Sequence, residues 1–233
     1  MIPQKYKYRF FNFYNLLMKE NFKKKLNFDW SSFPQRFEII NKIIKKNSYE
    51  RYLEIGCFKD ENFNKINITY KVGVDPVSGG TVRKTSDEYF KNNKEYFDII
   101  FIDGLHYFDQ VKKDIENSLD FLNTKGIIIV HDCLPSKIRD QMIPRAHEKW
   151  NGDVWKAIVE FRTKDHLDVY TCFADEGLGI ILKRNNKNKL DLNLKDFKKL
   201  KFKDYYHNYS KFMNIISEDD LLKIIKSNIN IPI

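Results

Sequence analysis

Glycine and proline are scarce, nine and six in 233 residues, and no Pro/Gly-rich linker or internal repeat divides the chain. Length and a 42% hydrophobic content fit one globular domain with some decoration. Cysteine is scarcer still. Cys57, Cys133 and Cys172 form no CxxC pair and are odd in number, which argues against a disulfide framework or a thiolate zinc site and for a reducing cytoplasm. No apolar run approaches the ~20 residues that span a bilayer. The opening MIPQKYKYRFFNFYNLLMKENFKKK has the outline of a signal peptide, but Asn12 and Asn15 break its apolar part and no small-residue cleavage site follows. Helical spacing instead puts Phe10, Phe13, Tyr14, Leu17 and Met18 on one face, expected to pack on the chain's own domain, with a membrane surface as the alternative that its basic flanks allow.

Acidic residues are the minority sign. The formal charge is +9, which opens nucleic acid, anionic lipid or an acidic substrate as partners. The lysines are scattered among abundant asparagine and isoleucine, and this argues against nucleic acid. The tail KLDLNLKDFKKLKFKDYYHNY keeps an RNA-directed alternative open.

What the chain does have is alternation. Arg51–Ile55, Tyr70–Val74, Phe97–Ile102 and Gly126–Val130 are short apolar runs of the kind that both faces of a sheet bury. Between the last two, DQVKKDIENSLDFL stacks Val111, Ile115, Leu119 and Leu122 on one helical face. Strand–helix–strand spacing predicts parallel pairing in an open, doubly wound α/β sheet. A helix from Pro34 to Lys46 precedes it, with Phe37, Ile40 and Ile44 inward. Asp153 caps a helix carrying Trp155, Ile158 and Val159, and VYTCF and LGIILK flank ADEG as an antiparallel hairpin at the sheet edge. Ser217 caps a last short helix with Leu221, Leu222 and Ile225. The expected division is 1–33 as a helical N-terminal appendage, 34–183 as the domain proper, and 184–233 as a basic extension.

Ligands of open α/β sheets bind beyond the carboxyl ends of the strands. After Arg51–Ile55 stands E54-I-G56-C-F-K-D60, which lacks the three glycines of a dinucleotide fingerprint and carries acids on both sides. A pyrophosphate would be repelled there, which disfavours a nicotinamide-dependent oxidoreductase; a ligand bringing positive charge would be welcome. Asp75 follows the next strand at an offset suited to ribose hydroxyls. Either acid alone reads as a capping or surface residue. Together they point to a nucleoside that carries a cation.

LEIGCFKDENF, GVDP, FDIIFIDGLHYF and GIIIVHDCLP together resemble a class I S-adenosylmethionine-dependent methyltransferase, nearest the small bacterial group with a DG-x-H motif. The resemblance runs over about residues 33–183 and implies a Rossmann-like sheet. It implies that Glu54, Gly56, Cys57 and Phe58 line the methionine part of the cofactor. Asp75 would hold the ribose, with Pro76 beside the adenine and Ser86 and Asp87 at its edge. A short strand near Val82–Thr85 would lead to them, and Asp103 and Gly104 complete the set. Asp60 departs from the pattern, standing where the loop's last glycine belongs.

Two strands end in polar groups, Asp103 with His106 three residues on, and His131 with Asp132. Methyl transfer to oxygen needs a proton acceptor, and histidine suits that task near neutral pH. His106, with Asp103 and His131, is the expected catalytic group. By the same resemblance, Asp103 and Asp132 fall where related metal-dependent O-methyltransferases bind magnesium or manganese. Cys133 replaces the usual asparagine, and His131 favours softer metals. Arg145, His147 and Trp150 are candidates for an acceptor wall. The expected activity is O-methylation of a small hydroxylated acceptor such as a sugar or glycan precursor; a homo-oligomer is compatible with it. The alternative to catalysis is a module that binds the cofactor without turnover, motivated by Asp60 and Cys133.

Overall fold

The computed structural model describes residues 25–145 and 148–226, together with Tyr6, Arg9, Phe10 and Phe13. Tyr14, Leu17, Met18 and His147 lie outside the described residues; Phe10 and Phe13 are exposed. Seven strands form one sheet among these residues: β1 (Arg51–Ile55), β2 (Tyr70–Val74), β3 (Phe97–Ile102), β4 (Leu122–Val130), β5 (Asp168–Cys172), β6 (Leu178–Leu182) and β7 (Ile215–Ile216). Their order is β2-β1-β3-β4-β6-β5-β7. The pairs β2–β1, β1–β3, β3–β4 and β5–β7 are parallel, and β6 runs antiparallel to both β4 and β5. This is the doubly wound, mostly parallel sheet with an antiparallel hairpin that the alternation predicts. The expected strand at Val82–Thr85 reduces to a single parallel bridge between Val74 and Val82.

Six α-helices accompany the sheet among the described residues: α1 (Arg36–Asn47), α2 (Ser86–Asn92), α3 (Phe108–Asp120), α4 (Val154–Phe161), α5 (Phe202–Met213) and α6 (Glu218–Lys226). The continuous apolar runs are explained by burial from two sides. In β3, Ile99 and Phe101 join Ile39, Ile40 and Ile43 of α1 and Leu221 and Ile225 of α6. Ile100 and Ile102 face the other way, onto Val111 and Ile115 of α3 and Trp155 and Ile158 of α4. Each fully buried side chain of this kind contributes about 1.5–3 kcal/mol. Phe37 is only half-buried, because the 3.6-residue period carries Ile39 and Ile43 to the centre of the face instead. Leu122 likewise leaves the expected helical stripe. Helix α3 closes when the Phe121 N–H reaches the Ser118 carbonyl (3.1 Å), and Leu122 pairs with Phe97 ahead of a register shift in the β3–β4 ladder.

The segment after residue 184 is bound into this core. Leu190, Phe202, Tyr205 and Met213 are buried, and β7 adds two residues beyond the hairpin. Buried Arg162 donates to the carbonyls of Phe212 (3.0 Å) and Asn188 (2.6 Å), closing the end of α5. No helix among the described residues is long and apolar enough to cross a membrane.

At the carboxyl end of the sheet, β1 and β3 are locked by backbone contact. The Asp103 N–H donates to Ile55 O at 2.8 Å, and on the other side of β1 the Gly56 N–H donates to Val74 O of β2, also at 2.8 Å. Gly56 has φ +88°, and a Cβ there would lie 2.3 Å from the Asp103 carbonyl oxygen. Only glycine fits. Gly104 is different, since a methyl added there would meet its nearest neighbour, Ile55 Cγ2, at 3.5 Å. Gly56→Ala should therefore cost about 1–3 kcal/mol from the positive φ alone, and more from the clash, whereas Gly104→Ala should be close to neutral. Urea unfolding of the two variants checks this; equal midpoints would show that the β1–β3 junction yields.

Candidate active site

The switch point of the sheet lies between β1 and β3, where the chain turns outward in opposite directions. Asp103, just past β3, and His131 and Asp132, just past β4, meet beside it. His106 Nε2 and His131 Nδ1 are each 3.2 Å from Asp103 Oδ1. His106 Nδ1 is 3.1 Å from Asp132 Oδ2, and His131 Nδ1 is 3.6 Å from it. The two carboxylates and two imidazoles expected from separate strand ends thus form one cluster. Asp132 has φ +61°, an uncommon conformation for a residue with a side chain, and one that places its carboxylate toward His106.

His106 is held by what surrounds it. Gly152, at φ +63°, packs so closely that a Cβ would lie 1.8 Å from the His106 carbonyl oxygen. Trp150 stacks on the imidazole at 5.3 Å between centroids, and its carbonyl lies 3.2 Å from Nδ1. Arg145 lies over the Trp150 ring at 5.7 Å. Asp153 stands at the start of α4 as expected, but its Oδ1 accepts from the Phe108 N–H (2.6 Å), so its carboxylate caps α3 rather than its own helix.

Burial alone would raise the carboxyls of Asp103 and Asp132; attraction to His131 and His106 outweighs it and holds both below the usual carboxylate range. Burial would lower the imidazoles, but the two carboxylates raise both, His131 the most strongly. Both imidazoles therefore hold a proton more tightly than a free histidine, and the two carboxyls less tightly than free acids.

Three residues that the motifs did not indicate complete it. Arg36, the first residue of α1, donates through Nη1 to Asp175 Oδ2 at 3.1 Å. Asp175 belongs to the hairpin turn, lies 3.7 Å from His131 Nε2, and has its carboxyl lowered to about 2, burial being outweighed by His131 and Arg36. Asn151 Nδ2 donates to Asp132 Oδ1 (2.6 Å) and Glu176 Oε2 (2.9 Å). Nothing in the sequence marked them: Asp175 reads as turn, Arg36 as helix start, Asn151 as loop. Cys133 is not in the cleft; its thiol is fully buried and faces the Val130 carbonyl at 3.2 Å.

Asp103, His131 and Asp132 each present one ligand atom within 4.8 Å of the others. Two carboxylates and an imidazole fit a divalent cation of the manganese type better than magnesium. The unpartnered buried Oδ1 of Asn151, on the side chain that holds Asp132, leaves a further oxygen donor beside the set. A cation there must displace the imidazolium proton of His131.

The cofactor-edge residues fall along the same rim with uneven access. Asp75 Oδ2 accepts from the N–H groups of Cys57 (3.1 Å) and Phe58 (3.0 Å), and Oδ1 from Val77 (2.8 Å) and Ser78 (2.9 Å). Burial pushes its carboxyl up and these four N–H groups pull it down, the latter prevailing. Its carboxylate thus clamps two loops together. Asp60, at φ +62°, accepts from the Gly80 N–H (2.6 Å) and ties the same loops, so it adopts the glycine-like conformation while adding a bond. Cys57 is buried, whereas Pro76 and Phe58 are exposed. Ser86 accepts from Gln110 Nε2 (3.2 Å), which also donates to buried Asp114 (2.9 Å); Asp114 approaches Gly104. Asp87 instead holds Lys113 at 2.6 Å.

Glu54 is buried and accepts from the Tyr52 hydroxyl and from Asn62 Nδ2 (2.8 Å). Burial dominates its titration and raises its carboxyl to about 7 despite those two donors.

The family model described as "Methyltransferase domain" matches residues 36–133. The matched span runs from Arg36 to Cys133 and so includes Asp103, His106, His131 and Asp132. No curated protein matches the sequence. Among solved structures, the chain is similar to the SAH-bound methyltransferase PaMTH1 of Podospora anserina, with 16% identity, 64% of this chain and 78% of that one covered, and a TM-score of 0.49. It is similar to the O-methyltransferase of Bacillus cereus in complex with SAH at 12% identity, with 65% and 81% covered and a TM-score of 0.47. The O-methyltransferase TomG of Streptomyces achromogenes, involved in tomaymycin synthesis, aligns at 10% identity, with 64% and 80% covered and a TM-score of 0.47.

The raised Glu54 carboxyl predicts a stability effect with a definite sign. A folded-state value near 7 against 4.5 unfolded means that the folded protein binds the proton more tightly. Glu54 therefore costs nothing below its unfolded value and destabilises progressively as pH rises toward 7, by up to about 3 kcal/mol. Glu54→Gln keeps an acceptor for Tyr52 and Asn62 and should be more stable than the parent at pH 8 but not at pH 5. Denaturant unfolding at both values measures it; a pH-independent difference would show that Glu54 is ionised without penalty.

Proposed function

We propose that the protein transfers a methyl group from S-adenosylmethionine to the oxygen of a small hydroxylated acceptor such as a sugar or glycan precursor. The observation that carries this is the meeting of Asp103, His106, His131 and Asp132 at adjacent strand ends beside the switch point, within the span that matches a methyltransferase domain. The loop Gly56–Asp60 carries no glycine-rich phosphate cradle, and acids border it, which suits a sulfonium-bearing nucleoside. S-adenosylmethionine supplies an electrophilic methyl group in such a site.

In this reading Glu54, Gly56 and the backbone of Cys57 and Phe58 border the methionine part, and Ser86 and Gly104 lie toward the adenine. Asp75 takes the ribose hydroxyls once Val77 and Ser78 give up Oδ1. His106 takes the acceptor's proton as the oxygen attacks, and Asp103 orients it. Because Asp103 and Asp132 raise His106, it becomes a base only above the ordinary histidine value. A divalent cation, where bound, would be held by Asp103, Asp132 and His131 and would acidify the acceptor hydroxyl. Three buried, unpaired thiols support action in a reducing compartment such as the cytoplasm.

The test is turnover with labelled cofactor against pH, with and without EDTA. The parent's rate should rise through an apparent pKa above about 6.5, and His106→Ala should lower turnover by ~10²-fold or more with cofactor affinity kept. Full activity in excess EDTA would leave Asp103 and Asp132 as orienting acids; unchanged turnover in His106→Ala would remove the base assignment.

A further inference from the structure

The positive charge of the chain is not spread evenly. Between residues 5 and 25 stand seven lysines and arginines, from Lys5 to Lys25, against a single acid, Glu20. That stretch therefore supplies six of the net nine positive charges. Its rings have not been absorbed by the core. Tyr6, Arg9, Phe10 and Phe13 are helical, and Tyr6, Phe10 and Phe13 are 58%, 71% and 59% exposed. Spacings of four and three residues put these three rings on one face. Large apolar groups aligned in water mark a surface that meets a partner.

Three partners fit such a face poorly. The chain's own domain leaves these rings uncovered. A second copy would bring two strongly basic stretches together, against their mutual repulsion. Nucleic acid would meet the charge, but Leu16, Leu17 and Met18 continue the apolar run with aliphatic side chains, on which bases do not stack. An anionic bilayer answers both features. Its phosphate headgroups meet the lysines, and its acyl boundary takes up the rings and the aliphatic groups. Tyr6, Tyr8 and Tyr14 are of the type that settles at headgroup level, with an apolar body and a polar tip.

We propose that the stretch from residue 5 to residue 25 binds the surface of an anionic membrane, with Tyr6, Phe10 and Phe13 inserted at the headgroup boundary. The stretch joins the domain at a defined place. Lys25 bridges Lys137, and the Leu26 N–H donates to the Ser136 carbonyl at 2.9 Å, four residues past Asp132. The membrane contact is thus tied to the segment that follows the end of β4.

The test sediments the full chain with vesicles of phosphatidylcholine alone and of phosphatidylcholine mixed with phosphatidylglycerol. It needs no cofactor, so its outcome is independent of the methyl-transfer reading. Binding to the anionic vesicles should be at least about tenfold stronger than to the neutral ones, and should fall at least about tenfold between ~0.05 and ~0.5 M salt. The double variant Phe10→Ser, Phe13→Ser should weaken anionic binding by at least about tenfold. The triple variant Lys5→Gln, Lys7→Gln, Arg9→Gln should remove most of the preference for anionic vesicles. Both variants should melt with the parent by circular dichroism, because the rings they alter or adjoin are exposed. A parent that binds no vesicles, or binding that neither variant weakens, would overturn the proposal. A lowered melting temperature in either variant would also overturn it and place the stretch on the domain itself. Light scattering and a gel shift with single-stranded RNA run alongside. A dimer or an RNA complex that the phenylalanine variant loses, with no vesicle binding by the parent, would assign the face to that partner instead.

Discussion

Asp103 can be drawn mostly out of water at the end of β3 only because cations are drawn in with it. Two imidazoles lie 3.2 Å from its Oδ1, and the Arg36 guanidinium approaches its other oxygen at 3.9 Å. Without them the cost of desolvating a carboxylate would protonate it or expel it to solvent. The same holds for Asp132 and Asp175, each of which borrows charge from His131. Three acids and three bases from α1, the strand ends and the hairpin turn thus depend on one another, and the position of each element follows from that dependence.

The fold delivers these groups by backbone contact. Gly56 lets β1 and β3 close on each other, so Asp103 emerges at a fixed height above the sheet. Gly152 brings the loop before α4 against the backbone of His106, and Trp150 from that loop covers the imidazole. Asp75 and Asp60 gather the loops after β1 and β2 by accepting from backbone N–H groups, among them Gly80 to Asp60 at 2.6 Å, and the Ser78 hydroxyl adds a bond to the Phe58 carbonyl. The rim is preorganised on one side by charge and on the other by carboxylate clamps.

Much of this is legible in the sequence because the underlying signals are local. Apolar runs buried on two faces, such as FDIIFI, have the same bounds in the structure as in the sequence. The strand ends that carry Asp103, His131 and Asp132 follow from those bounds. The less visible parts depend on tertiary contact. Leu122 keeps helical spacing with Val111 and Ile115 yet pairs with Phe97, since the helix closes one residue earlier. Val82 forms one bridge, too little for a strand signal. Arg36, Asn151 and Asp175 lie 67, 48 and 72 residues from Asp103 in sequence, and each sits in a segment whose local pattern is already explained as helix start, loop or turn. Their chemistry appears only when the hairpin turn folds against α1.

The central claim is that this cleft receives a sulfonium-bearing nucleoside along the rim from Asp75 to Asp103. A crystal soaked with S-adenosylhomocysteine tests it most directly. The account predicts ligand density with the ribose at Asp75, the sulfur above the β1–β3 junction and the open side of the sulfur facing His106. Ligand seated elsewhere on the chain, or a saturated soak that leaves this rim empty, would contradict it.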